Sequence, residues 1–471
     1  MKFSIIMAAK QSMPFIMSSV ESFKRQSYKK KELIIVYDKS NDQTENYLKN
    51  IKEKNIKIYL CNKGLYQSLN YGILKSTGNI VGTLHSDDAF TSESILEKVS
   101  KVFQNKKCGI CYGNVLYSEK NNLNLIKREW KKIALNKKYS LPPHTGTFFK
   151  KDLINKPYYK SLYNISGDTE FLLRLFNVKG IKKSYINNEL TIMREGGLSS
   201  SYKYIFTKLF EDFIVFRKFN LTSLDVIKKI FSKFNQINFI KKRKNNIFIK
   251  KIENLSKIKF VDPKDVLEKE KFILCAFNLA YIAFNYKHDL RNHLSIFWPD
   301  GVFSIFLNQK KVAGRNFFNN FLKYLKINKK NSILILGNFP KISEKWLKSK
   351  IKNKILHQNL PYGEMSKLYS KINRINFKKN QIVVITLPTP KQEIIANYIS
   401  SKNINCKIIC LGGSLNMLSG HEMPAPEIMN KFYLEWLWRL RYDTLRRILR
   451  LIISFFYFIV SFFSGKTKYL Y

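Results

Sequence analysis

The sequence predicts two α/β domains separated by a basic helical segment and followed by a basic amphipathic tail. Three observations carry this. From Met1 to about Ser200, and again from Asp262 to Phe432, short apolar runs alternate with helical patterns and Gly, Asn or Asp turns. That rhythm is the signature of βαβ units around a mostly parallel sheet. Between the two zones, Ser201–Phe260 contains neither Gly nor Pro and carries fifteen Lys/Arg against four acids. The chain's 471 residues call for two or three domains. The expected division is residues 1–200, a basic segment 201–262, a second domain 263–436 and a tail 437–471.

In the first domain, strands are expected at Phe3–Ala8, Glu32–Tyr37, Lys57–Cys61 and Ile80–Leu84. The opening run is too short for the apolar region of a signal peptide and reads as a buried strand. A helix should start after Gly64 and stop at Gly78. The basic segment places Phe206, Phe210, Phe213 and Phe216 at near-helical spacing, which predicts basic amphipathic helices. They would either lie on a membrane or cap the first domain with a solvated basic face. Strands of the second domain are expected at Phe272–Phe277, Ser332–Leu336, Gln381–Leu387 and Lys407–Leu411. In the tail, Leu451–Phe463 is apolar for thirteen residues between Arg450 and Lys466. A spanning helix needs roughly 20, so this run suits a bilayer surface.

With 45% apolar and 14% aromatic residues, disorder is excluded as the state of the whole chain. Six cysteines are too few for a disulfide scaffold. Cys108 and Cys111 have metal spacing but no second pair at finger spacing, so they read as buried strand thiols. The net charge of +49 fits nucleic acid or an anionic membrane. No RRM-like or OB-like interleaving of aromatic and basic residues is visible.

Acids are scarce, so clustered ones carry information. Asp87 and Asp88 fall at the C-terminal end of the Ile80–Leu84 strand, where open α/β sheets bind ligands. Adjacent carboxylates oppose each other's ionisation, and a divalent cation on phosphate oxygens would relieve that conflict. By itself the pair also fits a solvated turn.

Ser4-Ile5-Ile6, Glu32 through Thr44, Gly64 through Asp88, His144-Thr-Gly-Thr-Phe-Phe149 and Ile165 through Arg174 together resemble the family 2 glycosyltransferases of the GT-A type. The resemblance covers about 200 residues in the family's order. It implies a nucleotide-diphospho-sugar transferase fold in which Asp38 contacts uridine. Asp88, supported by Asp87, would bind the Mg2+ or Mn2+ that holds the diphosphate. Asp168 would be the general base for the acceptor hydroxyl, or alternatively a helix N-cap, and His144 would line the acceptor site. Tyr37 and Ala8-Ala9-Lys10 depart from the family's pattern.

In the second domain, Asn278, Pro299-Asp300-Gly301, Val312-Ala-Gly314, Gly337, Pro390-Lys-Gln-Glu393, Gly412-Gly413, Ala425-Pro426 and Glu435-Trp436 with Arg439 resemble the WecG/TagA/CpsF glycosyltransferases. The resemblance implies a Rossmann-like domain transferring an N-acetylmannosamine-type sugar without a metal. Asp300 would be its base, and Gln392, Gly412 and Gly413 would line the donor site. Arg439, with Arg446 or Arg447, would close over the diphosphate. Lys311 and Pro424 stand where relatives carry Arg. The expectation is a bifunctional glycosyltransferase of surface-polysaccharide assembly, using nucleotide sugars and polyprenyl-diphosphate acceptors. It would be peripheral on the cytoplasmic face of a bacterial inner membrane. The alternative is one active GT-A domain with a glycan- or membrane-binding partner domain.

Overall fold

The computed structural model describes all residues except 133–140, 197–204, 235–240, 243–245, 302–311, 326–330, 361–362, 403, 424, 427, 430–434, 442–443 and 464–471. Two compact units divide the chain, Met1–Ser256 and Lys257–Tyr471.

The first unit is built on a ten-stranded mixed sheet. Its strands are β1 (Phe3–Ala9), β2 (Lys31–Tyr37), β3 (Ile56–Leu60), β4 (Ile80–Thr83), β5 (Ala89–Phe90), β6 (Cys108–Glu119), β7 (Asn122–Trp130), β8 (Thr147–Lys150), β9 (Lys182–Arg194) and β10 (Lys241–Lys242). The path runs β10-β7-β6-β8-β4-β1-β2-β3, with β9 beside β6 and β5 paired to β9. β1 pairs parallel to both β2 and β4. Alternation on β1 and β2 builds two cores. Phe3, Ile5, Met7, Leu33 and Ile35 face one layer, while Ile6, Ile34 and Val36 face the other. Such two-faced burial is what parallel strands require.

The helix Leu65–Lys75 follows Gly64, whose φ of 84° favours glycine. It ends at Lys75, and its C-cap Ser76 stands two residues before the expected stop. Gly78 serves a different purpose. A Cβ there would lie 2.7 Å from the Lys2 carbonyl oxygen and 2.8 Å from the Ser4 nitrogen, so its lack of side chain lets the chain pass against β1. Beneath that turn, the buried Glu32 carboxylate accepts from Ser4 Oγ (2.6 Å) and Thr77 N (2.7 Å). Lys2 lies 3.0 Å from it and Lys57 3.3 Å. Burial alone would raise its pKa, but these donors outweigh that and hold it down to about 2.

The helices Ile205–Lys218, Ser223–Phe234 and Ile247–Ser256 fall inside this first unit. Val215, Phe216 and Val226 pack with Tyr163 and Leu173. Phe248, Ile249 and Ile252 pack with Ala89, Leu116, Leu123 and Ile192. Cys108 and Cys111 are fully buried free thiols on β6, as their strand reading required.

The second unit has six parallel strands: β11 (Phe272–Phe277), β12 (Ser295–Pro299), β13 (Ile333–Leu336), β14 (Ile355–Gln358), β15 (Ile382–Ile385) and β16 (Lys407–Cys410). Their order is β12-β11-β16-β15-β13-β14. Alternation again feeds two layers, with Ile273, Cys275 and Phe277 on one face and Phe272 and Leu274 on the other. The tail forms a helix, Thr444–Phe463. Tyr457 and Phe458 pack on this unit's core, whereas Leu445, Leu449, Ile452, Phe455 and Phe456 are exposed. No described helix is long and apolar enough to cross a membrane.

Candidate functional sites

In the first unit, the ends of β2 and β4 deliver the acids. Asp38 directly follows β2 and is held by its own N–H to the Ala9 carbonyl (3.0 Å). Its Oδ2 accepts from Gly64 N at 3.2 Å, while Oδ1 is buried without a hydrogen-bond partner. Asp88 is 2% exposed. Its Oδ1 accepts from Arg194 N at 3.4 Å, and its Oδ2 is likewise buried without a partner. Burial and the neighbouring Asp87 push the Asp88 carboxyl well up, against the pull of Arg194.

An unpartnered carboxylate oxygen in that setting fits a divalent cation, which would lower the cost of the charge. No cluster of three or more His, Cys, Asp or Glu side chains forms a metal cage among the described residues.

Asp168 lies in the first turn of the helix Gly167–Phe176, whose N-cap is Ser166. Asp168 therefore does not occupy the cap. Its Oδ1 accepts from Thr169 N at 2.7 Å, and its side chain is 41% exposed. The helix seats on Tyr66, whose hydroxyl donates to the Ile165 carbonyl (2.5 Å). A Cβ at Gly167 would come within 2.7 Å of that ring.

Glu211 then holds the same turn. Its carboxylate accepts from the backbone N–H groups of Asn164 (2.9 Å), Ile165 (2.9 Å) and Ser166 (2.8 Å). Lys229 bonds Thr169 Oγ1 (3.1 Å) and Asp212 Oδ1 (2.9 Å). Burial would raise the Asp168 carboxyl, but His144, Lys208 and Lys229 lie close enough to bring it below the usual range. An ionised base at neutral pH is the result.

His144 opens the short 3-10 turn before β8 and is 8% exposed. Its Nε2 lies 2.6 Å from His85 Nε2, and its Nδ1 lies 3.9 Å from Asp168 Oδ2. Burial and His85 push its pKa down to about 3, against Asp168. Burial lowers His85 too, although Asp87 and Asp168 oppose it. Asp87, Asp88, His85, His144 and Asp168 thus form one neighbourhood, joined through the histidines.

The sequence reading did not single out His85, Arg194, Glu211 or Lys229. Arg194 is 5% exposed, stacks on Phe15 (4.6 Å) and donates to the Lys120 carbonyl (2.8 Å) and to Ser18 Oγ (3.2 Å). Its burial lowers its pKa to about 10, against Glu253, Asp87 and Asp88, and leaves it a cation beside the acid pair. The available signal was its place at the end of a long strand, opposite the acids.

In the second unit, the candidate residues cluster at the carboxyl ends of adjacent strands. Asp300 follows β12, and its N–H donates to the Phe277 carbonyl at the end of β11 (3.1 Å). Gly301 turns away at φ 72°, and Val312 returns to bond the Pro299 carbonyl (2.8 Å). Asn278 caps the helix Leu279–His288 by accepting from Tyr281 N.

Gln392 has an internal task. Its Oε1 accepts from Gly412 N (3.0 Å), and its Nε2 donates to Thr389 Oγ1 (3.1 Å) and Glu393 Oε1 (2.9 Å). It ties the β15 loop to the β16 loop. Gly412 sits at φ 56°, and the Ser414 hydroxyl lies 2.7 Å from where a Cβ on Gly314 would be. The Val312-Ala-Gly314 and Gly412-Gly413-Ser414 turns therefore touch. Burial raises the Glu393 carboxyl despite bonds from its own backbone, Gln392 and Thr389.

Arg315, in the first turn of the helix Gly314–Leu325, pairs with Glu435 at 2.9 Å, and both are largely buried. Arg439 opens a 3-10 turn, Arg439–Arg441. Its side chain, that of Arg446, and residues Lys311 and Pro424 lie outside the described residues. Arg447 lies 3.4 Å from Glu422.

Comparison with known proteins gives two matches along the chain. Residues 4–167 match "Glycosyl transferase family 2" and residues 261–470 match "Glycosyl transferase WecG/TagA/CpsF family". A curated relative, an uncharacterized glycosyltransferase of Haemophilus influenzae, is 28% identical over 129 residues, 26% of this chain and 51% of that protein. The chain thus spans about half the length of that relative. Among solved structures, S. aureus TarS 1-349 in complex with UDP-GlcNAc is 16% identical, with a TM-score of 0.39, over 50% of this chain and 72% of that one. The mannosyltransferase PcManGT from Pyrobaculum calidifontis, in complex with GDP-Man and Mn2+, is 14% identical with a TM-score of 0.35, over 46% and 63%.

Proposed function

Since the chain joins a glycosyltransferase family 2 domain to a WecG/TagA/CpsF family domain, we propose that it is a bifunctional glycosyltransferase of surface-polysaccharide assembly. Each domain transfers a sugar from a nucleotide-sugar donor to a lipid-linked acceptor. The carrying observation is the Asp88 carboxylate, buried in the turn between β4 and β5 with one oxygen unpartnered.

In the first domain, Asp38 receives the nucleoside and Asp88, with Asp87, holds the divalent cation. When bound, that cation supplies positive charge to the leaving diphosphate. The ionised Asp168 accepts the proton of the acceptor hydroxyl while its oxygen attacks the anomeric carbon. The bond from that carbon to the phosphate oxygen breaks, and the nucleoside diphosphate departs with the electron pair. Arg194 remains a fixed cation beside the acids.

In the second domain, Asp300 takes the same role. Gln392 holds the β15 and β16 loops together, and Gly412 and Gly413 keep the cleft floor free of side chains. Arg439 and its neighbours supply cationic charge to the diphosphate. An N-acetylmannosamine-type sugar is the donor class proposed there. The exposed apolar face of the helix Thr444–Phe463 supports attachment to an anionic membrane surface, peripheral and on the cytoplasmic side of a bacterial inner membrane.

The test is transfer from radiolabelled UDP- and GDP-sugars onto polyprenyl-diphosphate-GlcNAc by the wild type, Asp88→Ala and Asp300→Ala, with and without EDTA. Two products, each lost in one variant and only the Asp88-dependent one lost to chelation, are expected. If Asp300→Ala leaves every transfer intact, the chain has a single active head.

A further inference from the structure

We propose that His144, braced by His85, is a positioning residue that aims Asp168 at the acceptor hydroxyl. This rests on the reading of Asp168 as the base and goes beyond lining of the acceptor site.

The geometry is specific. His144 is 8% exposed, and its two ring nitrogens each face one neighbour. Nε2 meets His85 Nε2 at 2.6 Å, and Nδ1 has no hydrogen-bond partner and lies 3.9 Å from Asp168 Oδ2. An ionised carboxylate only accepts, so Asp168 selects the His144 tautomer with the proton on Nδ1. The His144 Nε2 is then bare and must accept, which requires a proton on His85 Nε2. Of the two neutral tautomers, only this one turns a donor toward Asp168 while keeping the bond to His85.

The 3.9 Å gap is open, yet the Asp168 side chain is 41% exposed and its other oxygen is already held by Thr169 N at 2.7 Å. Positioning by His144 requires that this distance close when a substrate fills the site. Contacts of this kind often tighten only in the substrate complex. Burial holds the His144 imidazole in its neutral form at physiological pH, so the strut orients the carboxylate as a hydrogen-bond donor. A permanent cation in the same place would orient Asp168 but weaken it as a base.

Two measurements on the full chain test this. With 15N-labelled histidine the chain carries only six imidazoles, and loss of signals in His85→Gln and His144→Asn assigns the pair. His144 protonated on Nδ1 and His85 on Nε2 is expected. His144 protonated on Nε2 overturns the proposal.

The second measurement is the EDTA-sensitive transfer onto polyprenyl-diphosphate-GlcNAc. Asn at position 144 retains an N–H near the Nδ1 site, Gln places one near the Nε2 site, and Leu retains only bulk. His144→Leu and His144→Gln should lose about 100-fold in kcat, the scale of a misaimed reacting group, with KM nearly unchanged. His144→Asn should recover at least tenfold of that. For the brace, His85→Gln should remain close to wild type and His85→Leu should not.

Wild-type kcat in a correctly folded His144→Leu, or no advantage of Asn over Leu, overturns the positioning role. Asp168→Asn separates the two levels. Full transfer in that variant sinks the assignment of the base itself, whereas a dead Asp168→Asn beside an active His144→Leu sinks only the inference made here.

Discussion

Glu211→Gln should loosen the turn that carries the catalytic base, and the size of the effect follows from three hydrogen bonds. The Glu211 side chain, in a protein whose residue there is 7% exposed, accepts from Asn164 N through Oε1 and from Ile165 N and Ser166 N through Oε2. Gln has one acceptor oxygen. Placed at the Oε2 position it keeps two neutral bonds and turns an NH2 toward the Asn164 N–H; placed at Oε1 it keeps only one. Bonds to a charged acceptor contribute about 1.5–3 kcal/mol and neutral ones about 1. The substitution therefore costs at least about 2.5 kcal/mol locally.

Hydrogen exchange reads that directly, because these amides open by local fluctuation. At about 1.4 kcal/mol per tenfold, exchange in a peptide covering residues 160–170 should accelerate at least about 60-fold, while β1 and β2 keep their protection. The kcat of the EDTA-sensitive transfer should fall at least tenfold, since Asp168 sits two residues beyond the last clamped amide. An exchange rate within threefold of wild type would refute the clamp. A loosened turn with full activity would refute its link to the base.

Other consequences are as open to measurement. The Glu32 carboxyl is held down to about 2, below an unfolded value of about 4.3; its contribution is present above that value and is lost as pH falls toward 2. Glu32→Gln should thus lower Tm at pH 7 and flatten the decline of Tm between about pH 4.5 and 2, and equal slopes in the two proteins would contradict it. Gly78→Ala drives a Cβ against the Lys2 carbonyl oxygen and the Ser4 nitrogen and should cost about 2 kcal/mol or more in the stability of the first unit read from its urea midpoint; an unchanged midpoint means the turn can shift freely. Arg315→Met removes the 2.9 Å ion pair with Glu435, in which both side chains are largely buried, and should cost about 3 kcal/mol. The double variant with Glu435→Leu should regain part of that loss, as a thermal-unfolding double-mutant cycle would show.

The strands were legible because alternation of apolar residues is local. Phe272–Phe277 has the ends that pattern implied, and β4 differs from its expectation only in closing at Thr83 instead of Leu84. The acids were legible for a positional reason: Asp38, Asp88 and Asp300 each follow a strand's carboxyl end, where parallel sheets bind ligands. What holds those acids was not. Glu211 reaches an amide 47 residues away, and Arg194 reaches Asp88 across 106. In sequence, Glu211-Asp212 is simply the polar side of a basic helix. The same local view left the fate of residues 205–256 open, because Val215, Phe216 and Ile249 reveal their buried neighbours only in three dimensions. His144 read as a lone histidine since its partner, His85, lies 59 residues earlier. Gln392 read as a donor contact, whereas both ends of its amide are bound within the protein.

The strand order of the second unit also bears on how the chain is made. β16 is the last strand of that sheet to be synthesised, yet it lies between β11 and β15. Until residue 410 has left the ribosome, the nascent sheet consists of two pieces. β12-β11 and β15-β13-β14 each present an unpaired apolar edge that their future neighbour must cover. Such edges are sticky, and pairing distant in sequence is slow. The turn Gly412-Gly413, which follows the closing strand by two residues, becomes part of the cleft at the same moment as the sheet becomes continuous. A ribosome stalled shortly before that point would display the Asp300 strand end on an incomplete sheet, a substrate for chaperones and not yet for a sugar nucleotide.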